Sequence, residues 1–366
     1  MSEFSSADVA AMAEALRLAR RGNYTAHPNP RVGCVLLKAG RVVGSGWHRK
    51  TGEAHAEIEA LRAAGADARG SRAYVTLEPC SHHGKTPPCA DALIEAGVSG
   101  VVAAMEDPNP RVAGAGLARL RDAGIDVQCG LLRPQAEALN RGFISRITRG
   151  RPFLRLKIAA SLDGATAMAS GESRWITGAD ARRDVQRLRA LSGAVMTGIA
   201  TVLDDDPGLT VRDESLDTDG RQPLRVIVDS HLRLPPAARA CARDGETIVF
   251  CIDDRNRQAI EAAGATVVRV PASEGRTDLP AVLGKLGGLG INDVLVEAGP
   301  TLAGSLLSAA LVDELVIYQA PHMMGSETRG MAHTPGWQAL SQRLPLRITD
   351  LRRIGPDIRI TATPGH

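Results

Sequence analysis

The stretch Thr76-Leu-Glu-Pro-Cys80-Ser-His-His-Gly-Lys-Thr-Pro-Pro-Cys89, with His55-Ala56-Glu57 upstream, decides how the first part of this 366-residue chain is read. One imidazole and two thiolates, from His55, Cys80 and Cys89, are three ligands suited to a tetrahedral Zn²⁺ with one position left open. An open position marks a catalytic zinc, and water there becomes a nucleophile near neutral pH. Glu57 is not needed as a ligand. It is the candidate catalytic residue, taking a proton from the water and handing it to a leaving amine. Cys89 follows Pro87-Pro88 and opens a helix, where the positive end of the dipole favours a thiolate. Side chains two apart on a regular helix diverge by roughly 200°. His55 and Glu57 therefore share a metal only with an irregular first turn or with the zinc over the helix end, and we adopt the second.

The rival reading is a closed structural zinc that recruits His82 or His83, which leaves Glu57 without a task. Cys34, Cys129, Cys241 and Cys251 sit in or beside apolar strands and read as small core hydrophobes. The loop between Cys80 and Cys89 is long for a zinc-dependent base deaminase, whose pattern is His-x-Glu followed by Pro-Cys-x-x-Cys. Its extra length carries Lys85 and two histidines, groups suited to an anionic or phosphorylated substrate. Asn29, in Pro28-Asn29-Pro30, is placed to hydrogen-bond a heterocycle edge, although Asn before Pro is also an ordinary turn starter.

Around these motifs the chain alternates. Strands are predicted at Cys34–Leu37, Arg41–Val43, Ala73–Leu77, Val101–Ala104 and Ile125–Val127, and helices at Ala54–Ala64, Ala90–Glu95 and Leu117–Asp122. Val9, Met12, Leu16 and Ala19 predict a surface helix before them. Such alternation builds an α/β sheet covered by helices on both faces. Gly150-Arg151-Pro152 is the linker candidate, giving domains 1–150 and 151–366, with one large α/β barrel as the alternative. In the second part, strands are predicted at Phe153–Ala159, Arg225–Asp229, Thr247–Cys251, Thr266–Val270, Val294–Val296 and Leu315–Ala320. Helices are predicted at Ala179–Leu191, Gln258–Ala263, Leu279–Leu286 and Thr301–Ala310. Leu346–Leu351 and Asp357–Thr361 form a closing hairpin over Gly355-Pro356.

Composition excludes several functions. Apolar residues make up 44% and charged residues 23%, as in a folded globular chain. Residues 1–150 hold 19 Lys and Arg against 15 Asp and Glu, and the remainder 25 against 26. Neither part has the basic excess of a nucleic-acid binder, and 3 Trp, 3 Tyr and 4 Phe leave little for stacking bases. No apolar run is long enough to span a membrane, and no signal-peptide layout opens the chain. Six cysteines are too few for a disulfide scaffold, so a reducing, cytoplasmic location is expected. A homo-oligomer is compatible with all of this.

The second part offers weaker chemistry. No Gly-x-Gly-x-x-Gly follows a strand, so a Rossmann reading has no support. Val294-Leu-Val-Glu297-Ala-Gly299-Pro-Thr301-Leu-Ala-Gly304-Ser305 reads as a strand running through a glycine into a helix. The amides of such a helix start hold pyrophosphate, and an ordinary strand-to-helix turn has the same pattern. Arg189 and Arg212 suit a sugar phosphate, or are solvated or paired.

With Asn29-Pro30, His55-Ala-Glu57, Thr76 to Cys89 and Asp107-Pro-Asn-Pro110 together, the chain resembles the bifunctional deaminase–reductases of riboflavin biosynthesis over essentially its whole length. Lys157-Ile-Ala-Ala-Ser-Leu-Asp-Gly164, Ser173-Arg-Trp-Ile-Thr-Gly178, Thr201-Val-Leu-Asp-Asp-Asp-Pro207, Leu209-Thr-Val-Arg212 and Glu297-Ala-Gly-Pro-Thr301 are similar to the reductase blocks. The resemblance implies a cytidine-deaminase-like three-layer α/β/α domain and a dihydrofolate-reductase-like α/β domain. It implies hydrolytic deamination of 2,5-diamino-6-ribosylamino-4(3H)-pyrimidinone 5′-phosphate to 5-amino-6-(5-phosphoribosylamino)uracil, then NADPH-dependent reduction of the ribosyl group to the ribityl product. By the same likeness Ala159, Trp175, Thr201, Asp205, Ser230 and the turn of Gly299, Pro300, Thr301, Leu302, Ala303, Gly304 and Ser305 contact NADPH. By that likeness Ser173, Arg189, Leu209, Arg212 and Glu297 contact the ribosylamino substrate, while Asn29 and Lys85 remain the substrate-binding candidates that their own chemistry offers in the first domain. Asp206 stands where many members carry Asn. The alternative is a single-activity zinc deaminase of another amino-heterocycle, its second domain binding without catalysis.

Overall fold

The computed structural model describes residues 4–81, 88–110, 112–242, 245–334 and 336–365. The chain divides into two compact units, Met1–Gly150 and Arg151–His366, each built on its own open sheet, so no single barrel forms.

In the first unit, helix α1 (Ser6–Ala19) begins with a reciprocal cap. Ser5 Oγ accepts from the Asp8 amide, and the Ser5 amide donates to the Asp8 carboxylate at 2.8 Å. Met12, Leu16 and Ala19 are buried along one face, whereas Val9, grouped with them on spacing, is exposed. Strand β1 (Gly33–Lys38), strand β2 (Arg41–Trp47), helix α2 (Ala56–Ala64), strand β3 (Arg72–Val75) and helix α3 (Cys89–Ala96) follow. Strand β4 (Gly100–Ala103), helix α4 (Ala115–Asp122) and strand β5 (Asp126–Cys129) complete the alternation. Helices α5 (Arg133–Leu139) and α6 (Arg141–Arg149) were not predicted. The sheet order is β2-β1-β3-β4-β5, antiparallel at β2-β1-β3 and parallel thereafter.

Two glycines show how closely helices cover both faces. A Cβ on Gly33 of β1 would lie 2.0 Å from the Ala15 carbonyl of α1, and one on Gly44 of β2 would lie 2.3 Å from the Ala60 carbonyl of α2. Gly44 pairs with Leu36, three residues from Gly33, so α1 and α2 cover opposite faces of the pleated sheet. Three layers result.

The second unit begins with strand β6 (Phe153–Ser161), strand β7 (Ala165–Met168), helix α7 (Ala179–Leu191), strand β8 (Ala194–Gly198) and helix α8 (Ile199–Asp205). Then come strand β9 (Leu224–Val228), strand β10 (Thr247–Cys251), helix α9 (Arg257–Ala262), strand β11 (Thr266–Arg269) and a small hairpin of β12 (Ala272–Ser273) with β13 (Arg276–Thr277). Helix α10 (Leu279–Gly288), strand β14 (Asp293–Glu297), helix α11 (Pro300–Ser308), strand β15 (Glu314–Ala320) and strand β16 (Thr328–Gly330) precede the hairpin of β17 (Leu346–Ile354) and β18 (Asp357–Pro364). The nine-stranded order is β11-β10-β9-β8-β14-β6-β15-β18-β17, with parallel pairing from β11 to β15 and an antiparallel edge hairpin. Strands β7 and β16 make a separate ribbon.

Strand β8 and helix α8 escaped the sequence reading. Ala-Val-Met-Thr-Gly is five residues long and almost wholly buried, and a run covered on both faces shows no alternation. Cys241 is a further correction, since it lies in a 3₁₀ turn at Arg239–Cys241 and in no strand, though it is buried. Among the described residues no helix is long and apolar enough to cross a membrane.

Candidate active sites

His55 is the N-cap of α2, in extended conformation at φ −73°, and so lies outside the helix. Glu57 falls in the first turn and is buried. This geometry lets the two converge over the helix end despite their spacing. Cys80 lies in the loop after β3, and Cys89 is the first residue of α3 behind Pro88. His55 Nδ1 stands 3.3 Å from Cys89 Sγ and 3.7 Å from Cys80 Sγ, and all three ligand atoms lie within 4.8 Å of one another. Bond lengths of Zn–N and Zn–S at tetrahedral angles place nitrogen and sulfur about 3.6 Å apart, so the triad fits zinc. Among the described residues no fourth ligand joins this group. His82, His83 and Lys85 lie outside the described residues.

In the metal-free triad the shifts oppose one another: Cys80 favours the thiolate, whereas Cys89 keeps its proton, against the thiolate expected from its place at a helix start. A hydrogen bond from the Cys89 thiol, with His55 and the Cys89 amide adding to it, pulls the Cys80 thiol down to about 4. The same bond and burial push the Cys89 thiol up. His55 is raised, first by its bond to Cys80. Burial pushes Glu57 up to about 7, poised to take and give a proton near neutrality.

Behind the triad lies a buried residue the sequence reading missed, His48 at the end of β2. Its ring meets His55 edge-on at 5.4 Å. Burial lowers its pKa, which favours the neutral ring. The Ala54 carbonyl, 3.1 Å from Nδ1, only accepts, so Nδ1 carries the proton and Nε2 accepts from Asn29 Nδ2 at 3.0 Å. One N–H of the Asn29 amide is thereby used, and its carbonyl oxygen and second N–H suit a heterocycle edge. A lone His after an aromatic at a strand end gave no periodic signal.

In the second unit a cleft of about 1770 Å³ opens at the C-terminal ends of β6, β8, β9 and β14. The chain leaves β6 for β8, runs outward to β11, and returns as β14 between β8 and β6. A crevice at such a reversal is where open α/β sheets bind ligands. Ala159, Trp175, Thr201, Asp205, Ser230, Gly299, Pro300, Thr301, Leu302 and Ser305 line it, as do Ser173, Arg189, Leu209, Arg212 and Glu297. Ala303 and Gly304 do not. Ala303 is buried in the core, and a Cβ on Gly304 would lie 1.8 Å from the His333 carbonyl. Gly304→Ala is therefore expected to cost about 1–3 kcal/mol by overpacking, read as a lower thermal midpoint of the second unit.

Helix α11 starts on this cleft with Gly299 as its N-cap and Pro300 in the first turn. The Gly299 amide donates to Thr201 Oγ1 at 3.1 Å, and Pro300 has no N–H. The Thr301 and Leu302 amides are the first-turn donors left for an anion. Ser230 Oγ accepts from the Thr277 amide, and Trp175 is exposed with the Arg182 guanidinium 4.7 Å over its ring. Asp206 ends α8 at φ 41°, a left-handed position that suits Asp or Asn alike, and accepts from the Arg239 amide.

Arg189 and Glu297, both assigned to substrate, grip each other. Arg189 Nε and Nη2 donate to the two Glu297 oxygens at 2.6 and 3.1 Å, and Nη1 donates to the Thr210 carbonyl. Lys157 Nζ stands 4.0 Å from Glu297. Arg212 lines the cleft, its pKa lowered by desolvation and by the neighbouring Arg189 and Arg239. Two cations held beside a third favour an anionic group there.

Comparison with known proteins matches both units of the chain. Residues 5–105 match the cytidine and deoxycytidylate deaminase zinc-binding region, and residues 152–360 match the RibD C-terminal domain. The riboflavin biosynthesis protein RibD of Escherichia coli K12 is 52% identical over 356 residues, covering 95% of this chain and 96% of that protein. The chain belongs to the RibD family. Its RibD relative from Haemophilus influenzae is 48% identical over 373 residues, covering 100% of this chain and 99% of that one. The solved Acinetobacter baumannii RibD superposes with a TM-score of 0.92 at 44% identity, covering 98% of this chain and 99% of that one. A Thermotoga maritima diaminohydroxyphosphoribosylaminopyrimidine deaminase/5-amino-6-(5-phosphoribosylamino)uracil reductase gives 0.87 at 31%, with 98% and 99% coverage. As a RibD protein the chain carries a deaminase domain followed by a reductase domain, in a riboflavin biosynthesis family.

Within this RibD fold the sequence reading had named no proton donor for the reductase. Lys157 places a largely buried amine on the cleft, its pKa lowered by burial. The signal was present in Phe153–Ser161, where Arg155 and Lys157 interrupt a central parallel strand that ought to be apolar.

Proposed function

We propose that residues 1–150 hydrolyse the exocyclic amine of 2,5-diamino-6-ribosylamino-4(3H)-pyrimidinone 5′-phosphate, and that residues 151–366 reduce the ribosyl group of the deaminated product with NADPH. The observation that carries the first step is the convergence of His55, Cys80 and Cys89 beside a buried Glu57 that is not part of the ligand set. Zinc, when bound by those three, supplies a Lewis acid that makes water nucleophilic near neutral pH. Glu57 takes the water proton on its carboxylate and returns it to the leaving amine nitrogen, so that ammonia departs. Asn29, held by His48, offers its carbonyl oxygen and second N–H to the ring, and Lys85 offers a cation to the phosphate.

NADPH, when bound, supplies hydride to C1′ of the opened ribose. The large cleft and the Thr301 and Leu302 amides suit its pyrophosphate. Arg212 receives the substrate phosphate, and the Arg189–Glu297 pair holds the floor. Arginine stays charged, so Lys157 is the group on that floor able to give a proton to the sugar oxygen released on ring opening. The unpaired cysteines fit a reducing cytoplasm.

One assay tests both halves. Substrate with protein alone is expected to release one ammonia per molecule, and adding NADPH is then expected to bleach the cofactor's near-ultraviolet absorbance. Ammonia without bleaching would favour a single-activity deaminase with a binding domain.

A further inference from the structure

Glu78 stands two residues before Cys80 and is buried at 4% exposure. Four backbone amides converge on its carboxylate. Oε2 accepts from Asp107 and Gly114 at 3.0 Å each, and Oε1 from Gly116 at 2.8 Å and Leu117 at 3.3 Å. Gly116 and Leu117 are the second and third residues of α4, whose own N-cap is Gly114, with no side chain to bond them. Glu78 thus caps a helix from another element, where a negative charge also meets the helix dipole.

The contact is tight on the ligand side as well. A Cβ on Gly116 would lie 2.0 Å from the Pro79 carbonyl, so α4 presses directly on the residue between Glu78 and Cys80. Beyond it, the Cys80 carbonyl accepts from the Ala90 amide at 3.2 Å and the Cys80 sulfur from the Cys89 amide at 3.3 Å. The ligand is gripped from both directions. On the far side, Asp107 gives its amide to Glu78 while its own Oδ1 accepts from the Asn109 amide at 2.8 Å. That turn is the Asp107-Pro-Asn-Pro110 motif, to which the chemistry above gives no role.

We propose that Glu78 is a positioning residue for Cys80: its carboxylate ties the Glu78–Cys80 segment to the start of α4 and to the Asp107–Pro110 turn, and so sets where the sulfur stands in the metal triad. The proposal rests on the zinc reading of that triad. Groups that orient ligands typically change metal affinity 10–100-fold when altered.

Glu78→Gln keeps the shape but turns an amide N–H₂ toward backbone donors. Its zinc affinity, read by competition with a chelator, is expected to fall by about 10–100-fold. The ligand-field bands of the cobalt-substituted protein are expected to shift, with NADPH-dependent reduction unchanged. A folded variant with parental affinity and parental cobalt spectrum would overturn the proposal. A second measurement needs no variant, because coupling between sites is reciprocal. Withdrawing zinc from the parent protein is expected to speed hydrogen exchange at the Asp107, Gly114, Gly116 and Leu117 amides more than at β4. Unchanged protection of those four amides would sink the idea even if Glu78→Gln fails to fold. A parent protein that retains no zinc would instead remove the zinc reading itself, and this proposal with it.

Discussion

Glu57→Gln is expected to slow ammonia release by about 10²–10⁴-fold, the usual contribution of a general acid–base group, while zinc content stays at the parental level. Glu57 is not in the His55, Cys80 and Cys89 cluster proposed to hold the metal, so the exchange alters none of those three side chains. Glutamine fills the same buried space but neither takes nor returns a proton. The sign of the stability change is also specified. Burial raises the Glu57 pKa from 4.5 to about 7, so the folded metal-free protein holds this proton more tightly than the unfolded chain. Its stability therefore falls as pH rises from 4.5 towards 7, and stays reduced above that. A neutral amide escapes that cost. Metal-free Glu57→Gln is expected to melt no lower than the parent at alkaline pH, so lost activity is not lost folding. Ammonia release at nearly the parental rate would take Glu57 out of the mechanism.

Lys157→Met is expected to lower the turnover of NADPH-dependent reduction by at least about 10²-fold and to leave deamination untouched. Methionine matches the stem of lysine and suits a largely buried position. Glu297 keeps its two bonds from Arg189, so its carboxylate stays paired when the lysine is removed. Because burial depresses the Lys157 pKa, removing this cation relieves a desolvation cost, and the variant is expected to fold normally. Binding of NADPH, followed by fluorescence, is expected to persist, since the Thr301 and Leu302 amides are unaltered. Parental reduction rates would return the proton to water or to another group.

Most of the architecture was legible because it is local. Helix α7 spans Ala179–Leu191 in the structure as in the pattern, and the final hairpin falls where Gly355-Pro356 placed it, with its strands extended to Leu346–Ile354 and Asp357–Pro364. Strand β8 was illegible for the opposite reason: a short run buried on both faces carries no period. The α5–α6 pair went unread as well, beginning after Leu132 in a left-handed conformation with no capping side chain.

The deaminase triad was readable because each ligand sits in a local motif whose chemistry restricts the residue types allowed. The amino-acid order alone therefore pointed to the two-part α/β organisation, to His55, Cys80 and Cys89 as candidate metal ligands, and to Glu57 as the candidate carboxylate beside them. Tertiary structure decided what no local pattern encodes. It joined Arg189 to Glu297 across 108 positions, set Lys157 against the same carboxylate, bonded the Asn29 amide to His48, and closed four amides on Glu78. The physical reason is range. Periodicity and capping act over a few residues, whereas a buried charge is satisfied by whichever partner the packed fold brings within about 3 Å.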